Sequence, residues 1–236
     1  MAQLLPSDLS GLSLSLGETA ELRTLEMLRA GLPSSYVVFH SVHWTRDAEF
    51  RTAFGEADFV VVNEAGDVVV VELKSGMLEE SPTGLIKRYA DGAKDVATQI
   101  HRTLDGLRNQ FKKQSGHALN LDYLIYCPDF RLQNLQAAGL AVSRIVDSRD
   151  ASRLAERIVS ILPPETSSDY GRRVRKFFEN KFHLVPDIHA HVSAGERSMA
   201  RLSGGLADTL SSIEMKPFQL RVRGTAGCGK SVLASR

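Results

Sequence analysis

Cysteine and long apolar runs are both scarce in this chain. The two cysteines, Cys127 and Cys228, supply no disulfide framework and no zinc-ligand spacing, and they suit a reducing compartment. No apolar run approaches the roughly 20 residues of a membrane span, and the first 16 residues lack the basic region and long apolar core of a secretion signal. A cytoplasmic location without membrane contact is the expectation. A surplus of either charge is missing as well, the formal net charge being +1. That total hides an asymmetry: residues 1–100 carry 8 basic and 15 acidic side chains, net −7, whereas residues 101–236 carry 21 and 13, net +8. A basic second half is compatible with a phosphate polymer as partner.

What is present excludes disorder as the main state. A composition of 43% hydrophobic and 24% charged residues over 236 positions can bury a core, and the length fits one large domain or one ordinary domain plus a fragment. Leu22, Leu25 and Leu28 recur at helical spacing, so residues 18–30 read as a helix stopped by Gly31-Leu32-Pro33. Strands follow at 36–44, 57–62 and 68–73, the last two joined by a hairpin turn at 63–67. The run Val68-Val69-Val70-Val71 does not alternate, which predicts a central strand buried on both faces. A loop at 75–84 precedes a long helix from about Ala90 to Lys113, with the apolar stripe Val96, Ile100, Leu104, Leu107 and Phe111. Strands at 121–126 and 140–146 and a helix at 151–162, ended by Pro163-Pro164, complete the series.

That order gives meaning to three charged residues. Asp58 opens the second strand of the hairpin pair, and Glu72 and Lys74 lie two apart near the end of the next, so period-2 geometry puts the latter two on one face. In a tight hairpin they can converge with Asp58. Two carboxylates and an ammonium gathered at one sheet end are costly to bury unless a cation or an anionic substrate joins them. Mg²⁺ takes one or two protein carboxylates and fills its other positions with water and phosphate oxygens. Phosphodiester hydrolysis fits that set, with Lys74 placed to position a water or to stabilise the transition state.

Gly55-Glu56-Ala57-Asp58-Phe59, followed fourteen residues after Asp58 by Glu72-Leu73-Lys74, resembles the PD-(D/E)XK nuclease signature, and residues 14–127 as a whole resemble the nuclease-related domain, NERD. Gly17-Glu18 and Gln99 match two further positions of that pattern, while the signature proline is replaced by Ala57. The resemblance implies an α/β, restriction-endonuclease-like mixed sheet flanked by helices, with an αβββαβ core. It also implies an active-site set of Glu18, Asp58, Glu72, Lys74 and Gln99, in which Asp58, Glu72 and Glu18 hold Mg²⁺ or Mn²⁺, and DNA as substrate. On helical geometry alone Glu18 shares the apolar face of its helix, and Glu21 lies near that face too; the sequence leaves both open as the helix-borne acid. Without the resemblance, Gln99 would be an ordinary polar residue at the edge of its helix.

A second motif stands near the C-terminus. Residues 224–231, Gly224-Thr225-Ala226-Gly227-Cys228-Gly229-Lys230-Ser231, satisfy G-x-x-x-x-G-K-[ST] between a strand expected at 218–222 and a helix start at 232–234. In such a loop the backbone N–H groups at Gly224, Gly227 and Gly229 surround phosphates, Lys230 reaches the β- and γ-phosphates, and Ser231 binds Mg²⁺. The segment is similar to the first motor motif of UvrD/Rep-like superfamily 1 helicases, a family in which a NERD domain ahead of the motor is a known arrangement. The expected organisation is therefore a nuclease domain at 1–163, a bridge at 164–217 with a helix near 206–213, and an incomplete P-loop start at 218–236. The expectation is that the chain is a fragment of a longer protein, in which ATP binding and helicase coupling would reside.

Other candidates are weaker. His183, His189 and His191 near Asp187 lack a firm third ligand, and His40 and His43 read as structural residues of a strand. Arg172, Arg173, Arg175 and Lys176 ahead of Phe177-Phe178 could track a nucleic-acid backbone, but a solvated helix face over two core phenylalanines explains them better. Three readings follow: a metal-dependent DNase, a silent nuclease-like module that binds DNA or a partner, and a regulatory cap on a motor.

Overall fold

The chain alternates short strands with amphipathic helices. A computed structural model describes residues 1–5, 16–48, 51–81, 84–89, 92–133 and 139–183. In order these are β1 (Gln3–Leu5), α1 (Leu16–Gly31), β2 (Val37–Ala48), β3 (Arg51–Val62), β4 (Val68–Leu73), β5 (Glu79–Ser81), β6 (Gly84–Tyr89), β7 (Gly92–Asp95), α2 (Val96–Ser115), β8 (Leu121–Tyr126), β9 (Ile145–Val146), α3 (Leu154–Ile161) and α4 (Asp169–His183). Six strands form one mixed sheet in the order β1-β2-β3-β4-β8-β9, with β3 antiparallel to both β2 and β4 and β8 parallel to both β4 and β9. The result is a mixed α/β fold consistent with a nuclease-like architecture, and it contains the αβββαβ series. No helix among the described residues is long and apolar enough to cross a membrane.

β4 is the centre. All six of its residues are buried, as a non-alternating valine run requires. Val68 and Val70 face a cluster with Ile100, Leu104, Leu107 and Phe111 of α2 and Val174, Phe177 and Phe178 of α4. Val69 and Val71 face the opposite cluster, with Leu25 and Leu28 of α1 and Leu154 and Ile158 of α3. The turn before β4 is built by Asn63, whose Oδ1 accepts from the N–H groups of Gly66 at 3.0 Å and Asp67 at 2.9 Å. Its Nδ2 donates to the Pro163 carbonyl at 3.0 Å, which ties the turn to the end of α3.

Several expectations need correction. The loop expected at 75–84 and the helix start expected at Ala90 are replaced in part by a second, three-stranded sheet, β5-β6-β7. Gly92–Asp95 pairs with β6, and Asp95 then caps α2 by accepting the Thr98 N–H at 2.6 Å, so the helix cannot begin before Val96. The strand expected at 140–146 shrinks to Ile145–Val146 behind a single 3-10 turn. β2 and β3 continue to Ala48 and from Arg51, well beyond 44 and before 57, in a polar stretch that hides strand character. β1 was not foreseen.

The boundary expected at 163 also moves, because Met1–Leu184 forms one compact unit. α4 is no bridge. Its Gly171 lies so close to the β3–β4 turn that a Cβ there would collide with the Glu64 carbonyl, and Ser168 Oγ donates to the Ala65 carbonyl at 2.9 Å. Val174, Phe177 and Phe178 complete the core beneath it. Phe178→Ala in the full chain should therefore cost about 3–5 kcal/mol of unfolding free energy, the usual range for emptying a buried phenylalanine site. Urea titration checks this; an unchanged midpoint would mean that α4 adds nothing to the unit.

Candidate functional site

The β3–β4 ladder pairs Val62 with Val68 through Phe59 with Val71 and goes no further. One step beyond, Asp58 takes over: its Oδ2 accepts the Leu73 N–H at 2.7 Å, a side chain standing where a backbone carbonyl would have bonded. The neighbouring strand is distorted at the same level. Ser41 has φ +53°, a left-handed conformation that a non-glycine residue adopts only under constraint, and it is skipped in the β2–β3 pairing between His40↔Phe59 and Val42↔Ala57. Val37, Phe39 and Val42 consequently share one cluster, so the alternation of faces slips by one residue there.

Glu72 follows the valine run into the interior and is 0% exposed. Its Oε1 accepts from Lys74 Nζ at 2.6 Å and from Gln99 Nε2 of α2 at 2.5 Å. Lys74 is itself only 4% exposed. Glu72 Oε2 and Gln99 Oε1 are buried with no hydrogen-bond partner. Asp58, Glu72, Lys74 and Gln99 are thus brought together, while β4 continues past Leu73 by the Lys74 N–H donating to the Tyr126 carbonyl at 2.8 Å. The next loop is pinned by Gly76 N–H donating to Asp129 Oδ2 at 2.7 Å and by Lys87 Nζ donating to the Ser75 carbonyl.

Electrostatics make the cluster strained. Burial, and next the Glu72 charge, push the Asp58 carboxyl well above the ordinary range, against the pull of Lys74 and the Leu73 N–H. Burial likewise raises Glu72, with Lys74 opposing it. Burial disfavours the Lys74 ammonium, but Glu72 and Asp58 outweigh that and hold it above the usual lysine value. Two acids around one ammonium leave a buried excess of negative charge that a proton or a cation relieves. Among the described residues no three His, Cys, Asp or Glu side chains gather as a metal-holding group. A hard divalent cation needs only one or two protein carboxylates, however, and a buried carboxylate oxygen without a donor beside a second acid is a fitting ligand set.

The remaining candidates fall elsewhere. Glu18 lies in the first turns of α1, but its side chain is outside the described residues. Glu21, the alternative one helical turn on, is half-buried and adds to the upward push on Asp58, so the structure brings at least this acid of α1 toward the cluster. The basic residues of α4 are not at the cluster: α4 begins on the β3–β4 turn, at the other end of β4, about 17 Å from Leu73 at strand rise. There Arg172 pairs with Asp169, Arg173 reaches His117 Nε2 at 3.0 Å, and Lys176 is exposed. Arg175 donates to the Ser35 carbonyl at 2.7 Å and buries its Nε, which makes it a structural tie rather than a phosphate ligand. His40 is buried, and burial lowers its pKa. Burial pushes the Cys127 thiol up to about 12, so it is no nucleophile. The side chains of His43 and His183, together with Asp187, His189, His191 and the loop with Gly224, Gly227, Gly229, Lys230 and Ser231, lie outside the described residues.

Residues 16–128 match the nuclease-related domain, NERD. The matched range opens with α1 and closes just after β8, and so encloses Asp58, Glu72, Lys74 and Gln99. No curated protein and no solved structure matches the chain. The match spans slightly under half of the 236 residues and points to a nuclease-related function for that part of the chain. Sequence reasoning missed the β5-β6-β7 sheet that borders the cluster, although the apolar pair Leu85-Ile86 between Gly84 and Gly92 was a faint strand signal.

The charge conflict has a measurable consequence. A carboxyl raised by folding binds its proton more readily in the folded state, so its contribution to stability is greatest at low pH and is lost as pH rises through the raised value. Asp58→Asn removes the titrating charge while keeping an oxygen for the Leu73 N–H. In EDTA the variant should melt a few degrees above the parent at pH 8, and the gap should close as pH falls toward the ordinary aspartate range. A variant that melts lower at every pH would contradict the assignment of strain to this carboxylate.

Proposed function

We propose that the nuclease-related domain hydrolyses phosphodiester bonds in DNA with Mg²⁺, or Mn²⁺ in its place, at the Asp58–Glu72–Lys74 cluster. The observation that carries the reading is the buried, donor-free Oε2 of Glu72 beside the raised carboxyl of Asp58 and the Lys74 ammonium. Asp58 and Glu72 would hold the cation, joined by Glu18 as the family pattern implies or by Glu21. When bound, it would neutralise phosphate charge and lower the pKa of a water.

The chain's own residues do the rest. Lys74 presents a buried ammonium whose hydrogen bonds can shift from Glu72 to a phosphoryl oxygen as negative charge develops there, in a site where water screens little. Gln99 is a positioning residue: it donates to Glu72 Oε1 while Oε2 stays without a donor, and its own orphaned oxygen can accept from a water. The coupling of cleavage to an ATP-dependent motor rests on the phosphate-loop pattern Gly224–Ser231 alone.

The test is incubation of the full chain with supercoiled plasmid and with labelled single-stranded DNA in Mg²⁺, Mn²⁺ or EDTA. Cleavage should require metal and fall by about 10²–10³-fold in Asp58→Ala and Lys74→Ala, the range for removing a principal charge-stabilising group. Gln99→Ala should lose about 10–100-fold and need more metal for half-maximal rate, as outer-shell partners do. DNA that binds but is never cut, by parent or variants under any metal, would instead establish the silent binding module.

A further inference from the structure

The sheet β5-β6-β7 stands beside the cluster and carries three cations in its last two strands. Lys87 is committed to the Ser75 and Met77 carbonyls, and Arg88 pairs with Glu79 at 2.6 Å. Lys94 differs. Among the described residues no carboxylate pairs with it, and its ammonium lies 5.1 Å from the centroid of the Tyr89 ring. Tyr89 is 42% exposed.

Connectivity holds this pair at the edge of the cluster. Tyr89 closes β6 opposite Gly92, and β7 runs without interruption into α2: Lys94 precedes the cap Asp95, and Gln99, five residues after Lys94, touches Glu72. The electrostatic couplings agree with that placement, since Lys94 favours the Glu72 carboxylate and Tyr89 acts on Lys74. An exposed ring with a cation on one face offers its other face to a flat group, and the cation offers charge to an anion attached to it. A nucleotide has both parts. A base inside a duplex is already stacked and would have to be extruded at a cost of a few kcal/mol to reach such a ring, whereas an unpaired base is free to do so.

We propose that Tyr89 and Lys94 bind one unpaired nucleotide of a DNA strand next to the reacting phosphate, Tyr89 stacking on the base and Lys94 holding its phosphate, so that the domain prefers single-stranded DNA. The position of the reacting phosphate rests on the nuclease reading; the single-strand preference does not. Binding of the full chain to a labelled single strand and to the corresponding blunt duplex is measured by fluorescence anisotropy in EDTA and again with Ca²⁺, over a salt series. Tyr89→Ala should weaken single-strand binding about ten-fold, the effect of one lost stacking contact, and leave duplex binding unchanged, while Tyr89→Phe stays within about two-fold of the parent. Lys94→Ala should reduce the slope of log affinity against log salt by about 0.7, one phosphate contact on a single strand.

The inference is overturned if Tyr89→Ala leaves single-strand affinity intact, weakens both substrates alike, or if neither substrate binds. Cleavage assays on the same proteins keep the two readings apart. Metal-dependent cutting with a dispensable Tyr89 removes the nucleotide clamp and spares the nuclease. Tyr89-dependent single-strand binding without cutting does the reverse.

Discussion

A carboxylate carried into the interior by the central strand sets the terms for the rest of this domain. β4 is buried on both faces, and after four valines it places Glu72 at 0% exposure. An isolated buried carboxylate costs several kcal/mol, so its surroundings must supply charge and donors. Lys74 supplies the charge from two residues along the same strand; Gln99 supplies a donor from α2. The position of α2 is therefore part of the site, and it is fixed by the apolar stripe beneath it and by Asp95, which caps the helix directly after β7. The small sheet, where sequence patterning expects a loop and the first turn of a helix, delivers that cap.

Compensation is incomplete, and the proposed chemistry uses that incompleteness. Glu72 keeps one buried oxygen without a donor, and Asp58 is driven upward mainly by burial and next by its charged neighbour. A structure evolved only for stability would pair such oxygens or replace the acids with apolar groups of similar volume. Here the two strands leading to Asp58 are also distorted, with β3 abandoning its ladder to β4 and Ser41 in a left-handed conformation opposite. Local strain of this kind persists only where the surrounding packing over-determines it, and the two apolar clusters above and below the sheet provide that constraint.

Most of the frame could be read from sequence because its signals are redundant. The valine run marked β4, helical leucine spacing and Gly31-Leu32-Pro33 marked α1, and an Asn-to-Asp turn marked the hairpin whose loop Asn63 organises. The elements that escaped have weak signals for physical reasons. β5 and β7 are three and four residues long, below the length at which alternation can be told from chance. The basic face and the two core phenylalanines of α4 are legible, but nothing in its own pattern shows that Val174, Phe177 and Phe178 pack against the main sheet. Of the site, strand period and hairpin geometry bring Asp58, Glu72 and Lys74 within reach of each other. Gln99 was legible only through the family pattern, since nothing in a helical stripe distinguishes an edge glutamine from one that faces a buried acid.

Position along the sheet then separates the two positively charged regions of the domain. β4 and β8 are parallel, and Glu72 lies at the carboxyl end of β4 with Lys74 and the loop pinned by Asp129 just past it, the side of a parallel pair where open α/β sheets place ligands. α2 starts at that same end, directing its N-terminal N–H groups and their partial positive charge toward the place where a phosphate would enter. α4 starts at the opposite end, on the β3–β4 turn, with one of its arginines consumed in holding Ser35. A strand crossing the acid cluster would meet Lys94 and the α2 terminus first, and only a longer path around the domain would reach Arg172, Arg173 and Lys176. On the proposed reading, the field that would draw a polyanion to the acids is therefore local to the carboxyl end of the sheet, where a bound cation would neutralise the excess negative charge that otherwise repels it.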